Sequence, residues 1–372
     1  MQELRLAAQD IGDLAAGYAT QHERDNRLAP EVVERLRASG LMRSGVPALI
    51  GGAEVPPAVS LGCAETIAIG DAATGWCVSI AMTTSLLSAY LPKDGAVETF
   101  GAPGAIGAGV WAPTVQARRV DGGLVVSGRW AFCSGITHAD HFFGGCLLDD
   151  GNGPEMRVVG IPTEQLRIVE TWHTVGLRGT GSHDVVAEEV FVPAHRITAL
   201  TEEPLDTPLY RFPIFGYFAL CVAAASLGIA RGAITDLLEL AGHKKSVGAR
   251  RTLAEKSSTQ AEVAKAEAAL RAARALFYAA IDDAWQAAQD GTVDVELRAG
   301  LRLAATHAAR TGAEVATAMY DLGGGTAIYD ESPLQRRFRD AHTVTAHVQV
   351  GGGTWETTGR LLLGLPADVG RL

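Results

Sequence analysis

The hydrophobic pattern of this 372-residue chain changes its period twice. From residue 1 to about 100, apolar residues recur at helical spacing, as in LRLAAQDIGDLAAGYATQ. Between about 101 and 200, glycine and valine rise and short alternating runs appear. From about 212 onward, long alanine-rich helical patterns return. The sequence therefore predicts an α+β protein that is mostly α, with an N-terminal helical domain (1–100), a central β-barrel or sandwich domain (101–205) and a C-terminal helical bundle (206–372).

Local signals refine this outline. Pro30 and Gly40 frame one predicted helix, because proline favours the first helical turn and glycine a C-terminal cap. The stretch ARRVDGGLVVSGRW predicts a hairpin that turns at residues 121–123. HFFGGCLLDDGNGPEMRVVGIP predicts a second strand pair, and DVVAEEVFVP (184–193) predicts a third. We interpret WAFCSGITHADHF (130–142) as a strand segment, with Trp130 and Phe132 either in the core or in the wall of a pocket.

Composition excludes several classes of function. A net charge of −10 and a pI near 5.5 argue against a nucleic-acid partner. No apolar run reaches the roughly 18 residues that span a bilayer, and Tyr217–Ala230 reads as a buried helix. The N-terminus carries acids and no continuous apolar core, so we expect no signal peptide and a cytoplasmic location. The cysteines are scattered without a C-x-x-C motif, which favours buried thiols over disulfides or zinc. They are Cys63, Cys77, Cys133, Cys146 and Cys221.

Four stretches, in order along nearly the whole chain, resemble the acyl-CoA dehydrogenase superfamily. They are RLRASGLMRSGVPALIGGAE, GRWAFCSGITHADHF, GLRGTGSHDVVAEEVFVP and SPLQRRFRDAHTVTAHVQVGGGTWETTGRLLLG. The resemblance implies helical, β-barrel and four-helix-bundle domains, a homotetramer, and a flavin bound between the domains.

The chemistry that the resemblance implies depends on one position. Many of its dehydrogenases carry a catalytic glutamate just before a Gly-Thr pair near the C-terminus, but this chain has Gly352 there, and Glu356 lies beyond the pair. Glycine cannot take a proton. SGITHAD and RDAHTVTAHV are more similar to the two-component flavin monooxygenases. Enzymes of that branch take reduced flavin (FMNH2 or FADH2) from a separate NAD(P)H-flavin reductase. The flavin reacts with O2 to a C4a-hydroperoxyflavin, which hydroxylates a small substrate. For this chain we expect an aromatic or polyketide-like substrate of secondary metabolism.

Three alternatives stay open at this stage. Relatives of this branch commonly carry a histidine after the TGW motif, where this chain has Thr83, Thr84 and Ser85, so an N-oxygenase acting on an amino sugar is one alternative. An acyl-CoA dehydrogenase or oxidase with its base on another helix is the second. A non-catalytic member of the same fold is the third. No G-x-G-x-x-G context surrounds GGGT (351–354), so we expect no NAD(P)H site on this chain.

We assign His347, Ser134 and His138 to catalysis, His347 from the resemblance; for His138 the alternative is a hydrogen-bonded structural role. His347 matches a histidine on the C-terminal helix that reaches the reactive edge of the flavin, and an ordinary pKa near 6.5 would let it hold or release a proton. His342 lies five residues earlier, about 140° around a helix, and should face away. Ser134 follows a strand, so its hydroxyl and the neighbouring N–H groups could face a cleft, where the hydroxyl could accept the N5–H of reduced flavin. His138 and His141, three apart on a predicted strand, face opposite sides, so we expect no metal site.

Further residues are expected to bind the flavin or the substrate. For several of them the alternative is a structural role: a core tryptophan for Trp172, a surface turn for residues 178–182, and solvated charge for Arg250 and Arg251. The expected flavin-binding residues are Trp111, Ala112, Pro113, Cys133, Ser134, Trp172, Arg250, Arg251, Gly352 and Gly353. The expected substrate-binding residues are Trp76, Thr84, Arg178 and Thr180.

Overall fold

The N-terminal hundred residues are helical, as their pattern predicts. The computed structural model describes residues 1–149, 153–245, 248 and 250–372. The helix at Pro30 begins and ends where its signals place it, because Gly40 adopts a left-handed φ of 69° that suits a residue without a side chain. The helices are α1 (Gln2–Asp25), α2 (Pro30–Ser39), α3 (Pro57–Gly70), α4 (Ala72–Ser85) and α5 (Lys93–Phe100).

A seven-stranded mixed sheet follows, in the order β5-β6-β2-β1-β3-β4-β7. Its strands are β1 (Gly107–Val120), β2 (Gly123–Trp130), β3 (His141–Asp149), β4 (Pro154–Pro162), β5 (Arg167–Val169), β6 (Asp184–Pro193) and β7 (Ile197–Thr198). The predicted hairpin is confirmed, since Val120 pairs with Gly123 across a turn in which Gly122 has a φ of 75°. The second strand pair is confirmed as β3 and β4, although residues 150–152 of its turn lie outside the described residues. The third pair is wrong, because 184–193 is a single strand that pairs with β2 and β5.

The segment 130–142 is not one strand. Strand β2 ends at Trp130, which is fully buried, and a 3-10 turn spans Ile136–His138 before β3 begins at His141. The prediction of a strand core holds for Trp130 and is wrong for Phe132, which is 70% exposed and has a φ of 66°. His138 and His141 therefore do not alternate on a strand, as the sequence had suggested. The chain leaves the sheet here and forms a loop against α4.

The C-terminal region is again helical. Its helices are α6 (Pro208–Arg211), α7 (Ile214–His243), α8 (Ser257–Asp290), α9 (Val295–Gly323), α10 (Pro333–Thr345) and α11 (Gly352–Leu362). Helix α7 packs against α9, α3 and α4, which joins the two helical regions through one core. Contrary to the estimate from apolar runs, Ala72–Ala89 and Ile214–His243 are both long and apolar enough to cross a membrane. Both are mostly buried inside the protein, as core helices are.

Candidate active site

Three aromatic side chains from three parts of the fold form one cluster with His347. The ring of Trp76 on α4 lies 5.6 Å from the His347 ring, edge to face. Phe218 on α7 lies 5.3 Å from the same ring, and Trp111 on β1 lies 5.5 Å from Phe218. The structure thus brings together Trp76, Trp111 and His347, which the sequence had singled out separately. Sequence reasoning missed Phe218, because nothing distinguishes it from the other apolar residues of α7.

His347 does not lie on a helix, in contrast to the sequence prediction. Helix α10 ends at Thr345, and His347 caps the following 3-10 turn, where its Nδ1 accepts a hydrogen bond from the backbone N–H of Gln349 (3.2 Å). His342 is exposed and contacts Thr317 instead, so the two histidines do face different surroundings. Tertiary contacts rather than helical periodicity separate them.

The protonation state of His347 also differs from the expectation. Burial, with the positive charge of Arg302 as a second cause, lowers the pKa of His347 to about 4. The imidazole is therefore neutral at pH 7. Because Nδ1 accepts a hydrogen bond, the single ring proton lies on Nε2. His347 is thus a neutral hydrogen-bond donor rather than a group that exchanges its proton near pH 6.5.

Ser134 belongs to a chain of buried hydroxyl groups. The indole Nε1–H of Trp76 donates to Ser134 Oγ (3.0 Å), and Ser134, Ser182 and Thr180 are joined by two contacts of 2.7 Å. At the far end, Thr180 Oγ1 donates to the carbonyl of Leu177 (2.7 Å). Since each hydroxyl has one proton, Ser182 must donate to Thr180, and Ser134 must donate to Ser182. Ser134 is left with one free lone pair and can only accept from a ligand.

The backbone around Ser134 is already paired. The N–H groups of Cys133, Ser134 and Gly135 donate to the carbonyls of His183, Phe132 and Thr180, respectively. The expectation that these N–H groups point into the cleft is therefore wrong, and only the hydroxyl remains available. The Cys133 side chain is fully buried, and burial raises the pKa of its thiol, so it presents no thiolate to a ligand.

An aromatic pair, the exposed Phe132 and the half-buried Trp172, lies beside this hydroxyl chain. The rings of Phe132 and Trp172 are 6.1 Å apart, edge to face, and Trp172 Nε1–H donates to the Leu177 carbonyl (2.9 Å). Phe132 holds a positive φ that is costly for a residue with a side chain. A strained backbone that exposes a large apolar ring suits a surface that a flat ligand covers. The sequence contained no signal for the exposure of Phe132.

The loop that contains Leu177 is fixed from the C-terminal helices. The buried carboxyl of Asp340 on α10 accepts a hydrogen bond from the Leu177 N–H (2.6 Å), and burial raises the pKa of Asp340 to about 7. Arg178 borders a small cavity with Asp340, and its Nε is buried without a partner among the described residues. The expected substrate residue Arg178 therefore lies in this loop against α10.

Strand β1 offers an unpaired polar group at Trp111. Its register with β3 shifts between Val110 and Val115, so the intervening backbone leaves the ladder, and Ala112 and Thr114 are exposed. The indole Nε1–H of Trp111 is buried and has no partner among the described residues. A buried donor without a partner fits the hydrogen-bonding edge of a flavin ring. The Trp111 indole N–H and the free lone pair of Ser134 are therefore two groups that a bound flavin could satisfy.

Several expected site residues lie apart from this cluster or are otherwise occupied. Thr84 is buried, and its hydroxyl donates to the Ile80 carbonyl of its own helix (2.9 Å). Gly352 and Gly353 are exposed at the start of α11. Arg250 and Arg251 are exposed in the connection between α7 and α8. His138 is half-buried, its Nδ1 has no partner within the described chain, and burial lowers its pKa to about 4.

Arg302 on α9 is a second group that the sequence did not indicate. It is 8% exposed, and its Nη1 donates to the carbonyl of Phe215 (3.3 Å) and to the side-chain oxygen of Gln349. Burial lowers its pKa to about 10. Arginine is common in helices, so position alone could not separate Arg302 from the solvated arginines of the same helix.

Comparisons with known proteins agree with this geometry. A family model described as the C-terminal domain of acyl-CoA dehydrogenase matches residues 220–351. The chain is 38% identical to an indole-3-acetate monooxygenase from Pseudomonas putida, over 92% of this chain and 89% of that protein. It is 29% identical to the oxygenase subunit HsaA of a flavin-dependent monooxygenase from Rhodococcus jostii, over 92% and 91%. The structure of XiaF from Streptomyces sp. in complex with FADH2 and glycerol matches with a TM-score of 0.93 and 26% identity, over 100% and 97%.

These comparisons confirm the predicted fold class, the monooxygenase branch and the use of reduced flavin with O2. They favour the monooxygenase over the dehydrogenase and non-catalytic alternatives. An oxygenase component also requires a separate flavin reductase and a small-molecule substrate. The chain belongs to the flavin-dependent monooxygenases that share the acyl-CoA dehydrogenase fold, as an oxygenase component.

Proposed function

We propose that this oxygenase hydroxylates a flat aromatic substrate that lies among Trp76, Trp111 and Phe218. The observation that carries the proposal is a cluster of these three rings beside one neutral histidine: Trp76 and Phe218 contact His347, and Trp111 contacts Phe218. Aromatic walls favour flat apolar ligands, and a few polar groups orient them. The relative from Pseudomonas putida is named for indole-3-acetate, so an indole ring is the first choice.

The segment after the TGW motif supports an indole over a phenol. Thr83, Thr84 and Ser85 are buried, and their hydroxyls donate to the carbonyls of Ser79, Ile80 and Met82 of the same helix region. None of these three hydroxyls is a base that could remove a phenolic proton, whose pKa is about 10. The carbon atoms of an indole ring are nucleophilic without prior deprotonation. The substitution of a histidine by hydroxyl residues therefore fits an indole substrate.

Each side chain then has a defined task. Reduced flavin, when bound, supplies the electrons with which O2 delivers one oxygen atom to the substrate. Ser134 accepts the N5–H of the flavin with its free lone pair. The backbone at Ala112 and Pro113 binds the pyrimidine edge, and the Nε2–H of His347 donates a hydrogen bond near the reacting atoms and helps to exclude water.

The remaining expected residues extend this site. Cys133 lines it through its backbone, and Trp172 packs against the flavin ring beside Phe132. Thr84, Arg178 and Thr180 shape the substrate side. His138 is proposed as a second neutral catalytic histidine, because burial lowers its pKa to about 4. Gly352, Gly353, Arg250 and Arg251 contact the flavin phosphates, the arginines from a neighbouring subunit.

We propose a homotetramer, in which the two arginines of one subunit can reach the flavin of its neighbour. Leu362 at the end of helix α11 and the following Leu363 are 79% and 76% exposed, and large exposed apolar side chains favour a subunit interface. We place the protein in the cytoplasm and in secondary metabolism, in three domains of residues 1–100, 101–205 and 206–372. The end of α5 at Phe100 and the start of α6 at Pro208 support those boundaries. Light scattering of the purified protein measures the subunit count directly.

Reconstitution with a generic flavin reductase tests the proposed function. FMN and FAD are supplied in turn, with indoles, phenols and amino sugars as substrates and isotopically labelled O2. We expect labelled oxygen on the ring carbon of an indole and negligible NADH oxidation without the reductase. Release of hydrogen peroxide alone with every substrate would contradict the proposal. Labelled oxygen on the nitrogen of an amino sugar would establish the N-oxygenase alternative instead.

A further inference from the structure

Arg302 is a buried cation without a matching anion among the residues that the structure describes. Burial is the only cause of its lowered pKa, so no described carboxylate lies close enough to raise it. Two other buried arginines differ in this respect. Arg337 pairs with the carboxylate of Asp236 (2.9 Å), and Arg43 uses all three of its guanidinium nitrogens on backbone carbonyls. Removing a cation from water costs free energy unless the cation is paired with an anion. We therefore expect Arg302 to bind an anion that is not part of the described chain.

Half of the Arg302 guanidinium is available. Only Nη1 has hydrogen-bond partners among the described residues, the Phe215 carbonyl and the Gln349 side chain. Nε and Nη2 form the second edge of the planar group. Neither nitrogen is completely buried, so both can reach a ligand. By contrast, the Nε atoms of Arg178 and Arg196 are fully buried without a hydrogen-bond partner among the described residues. Two parallel N–H donors on one edge match the two oxygens of a carboxylate.

The free edge belongs to the same region as the aromatic cluster. Gln349 links the two groups, because its backbone N–H donates to His347 and its side chain accepts from Arg302. Phe215, whose carbonyl accepts from Arg302, precedes Phe218 by three residues on α7, so both lie on one side of that helix. The charge of Arg302 reaches the His347 ring strongly enough to lower its pKa.

We propose that Arg302 binds the carboxylate of the substrate, and that this oxygenase therefore acts on aromatic monocarboxylic acids. The aromatic ring lies among Trp76, Trp111 and Phe218, and the carboxylate pairs with the Nε–Nη2 edge of Arg302. This inference rests on the proposed function for the position of the ring. A bound carboxylate also offsets the positive charge of Arg302 beside His347. Substrate binding therefore opposes the lowering of the His347 pKa by that charge.

Binding measured without turnover separates this inference from the proposed function. The enzyme is loaded anaerobically with reduced FAD, and the binding of acid and amide pairs is measured by isothermal titration calorimetry: indole-3-acetate with indole-3-acetamide, and phenylacetate with phenylacetamide. A charge-assisted, two-point contact should favour each acid over its amide by about ten- to a hundredfold in Kd. If the acids bind selectively but no product forms with O2, the proposed function fails while the carboxylate site stands.

Three variants assign the preference to Arg302. Arg302→Met keeps the length of the side chain without its charge and should reduce the preference to within about threefold. Arg302→Lys keeps the charge without the planar edge and should retain an intermediate preference, and it serves if the methionine variant folds poorly. Arg310→Met is the matched control, because Arg310 is on the same helix and, among the described residues, donates to the carbonyls of Thr345 and Val350. This variant should keep the wild-type ratio of acid to amide affinity.

Two results would overturn the inference. One is a wild-type enzyme that binds both acids and both amides with equal affinity, or that binds none of them. The other is an Arg302→Met enzyme that keeps the acid preference and loses affinity for reduced FAD, which would assign Arg302 to the flavin.

Discussion

Replacement of Ser134 by alanine tests the hydroxyl chain on which the site geometry depends. The change deletes the acceptor of the Trp76 indole N–H, which is 3.0 Å away, and the donor to Ser182. Trp76 is 6% exposed, so water cannot easily replace the lost acceptor. A buried donor without a partner costs about 1–3 kcal/mol. We expect the free energy of unfolding to fall by about that amount.

A double-mutant cycle isolates the contact. Trp76→Phe removes the indole donor, so Ser134→Ala should destabilise the Trp76→Phe protein less than it destabilises the wild type. The coupling energy should be about 1 kcal/mol or more, measured by urea unfolding of the four proteins. Ser85→Ala is the matched buried-serine control. Its hydroxyl bonds to Met82 and Gly45, so its effect should add to that of Trp76→Phe within about 0.5 kcal/mol.

The same substitution has a functional consequence. Ser134→Ala removes the lone pair that is free to accept the flavin N5–H, and one neutral hydrogen bond contributes about 1 kcal/mol. Reduced flavin should still bind, while the fraction of O2 released as peroxide rises several-fold. A coupling energy near zero, together with unchanged peroxide release, would refute the assignment of Ser134 as the acceptor.

The remaining predictions concern histidines. His347→Ala removes the neutral Nε2–H donor, so oxygen consumption should continue while peroxide replaces product. His342 contacts Thr317 instead, so His342→Ala should leave the product-to-peroxide ratio unchanged. If His342→Ala releases peroxide and His347→Ala does not, the assignment of His347 is wrong. The pKa of His138 falls to about 4 on folding, so protonation favours the unfolded chain and stability is lost as the pH falls from about 6.5 towards 4. Between pH 7 and pH 5 His138 should contribute about 2 kcal/mol to this loss, and His347, whose pKa is also lowered to about 4, should contribute separately; His138→Leu should remove only the His138 part in urea unfolding, and an unchanged pH dependence would show that His138 does not titrate in this way.

The sequence by itself determined the order of the regions. Helical periodicity, glycine turns and alanine-rich runs are local properties of the chain, and the elements at Pro30 and at Asp121–Gly122 follow them closely. The missing base at Gly352 also needed no structure, because glycine has no side chain that can take a proton. The signals failed where the chain leaves the sheet after Trp130, since a loop of small and aromatic residues has no period to distinguish it from a strand.

Tertiary structure decided the chemistry of the individual groups. The sequence selected His347, but burial and the charge of Arg302, 45 positions earlier, set its pKa, and a backbone N–H set its tautomer. Ser134 is an acceptor only because its proton is committed to Ser182 across 48 positions of sequence. Phe218 and Arg302 lie in helices α7 and α9, where the sequence pattern does not distinguish them from the other apolar and charged residues. Burial and pairing are properties of residues far apart in the chain, so periodicity and spacing carry no information about them.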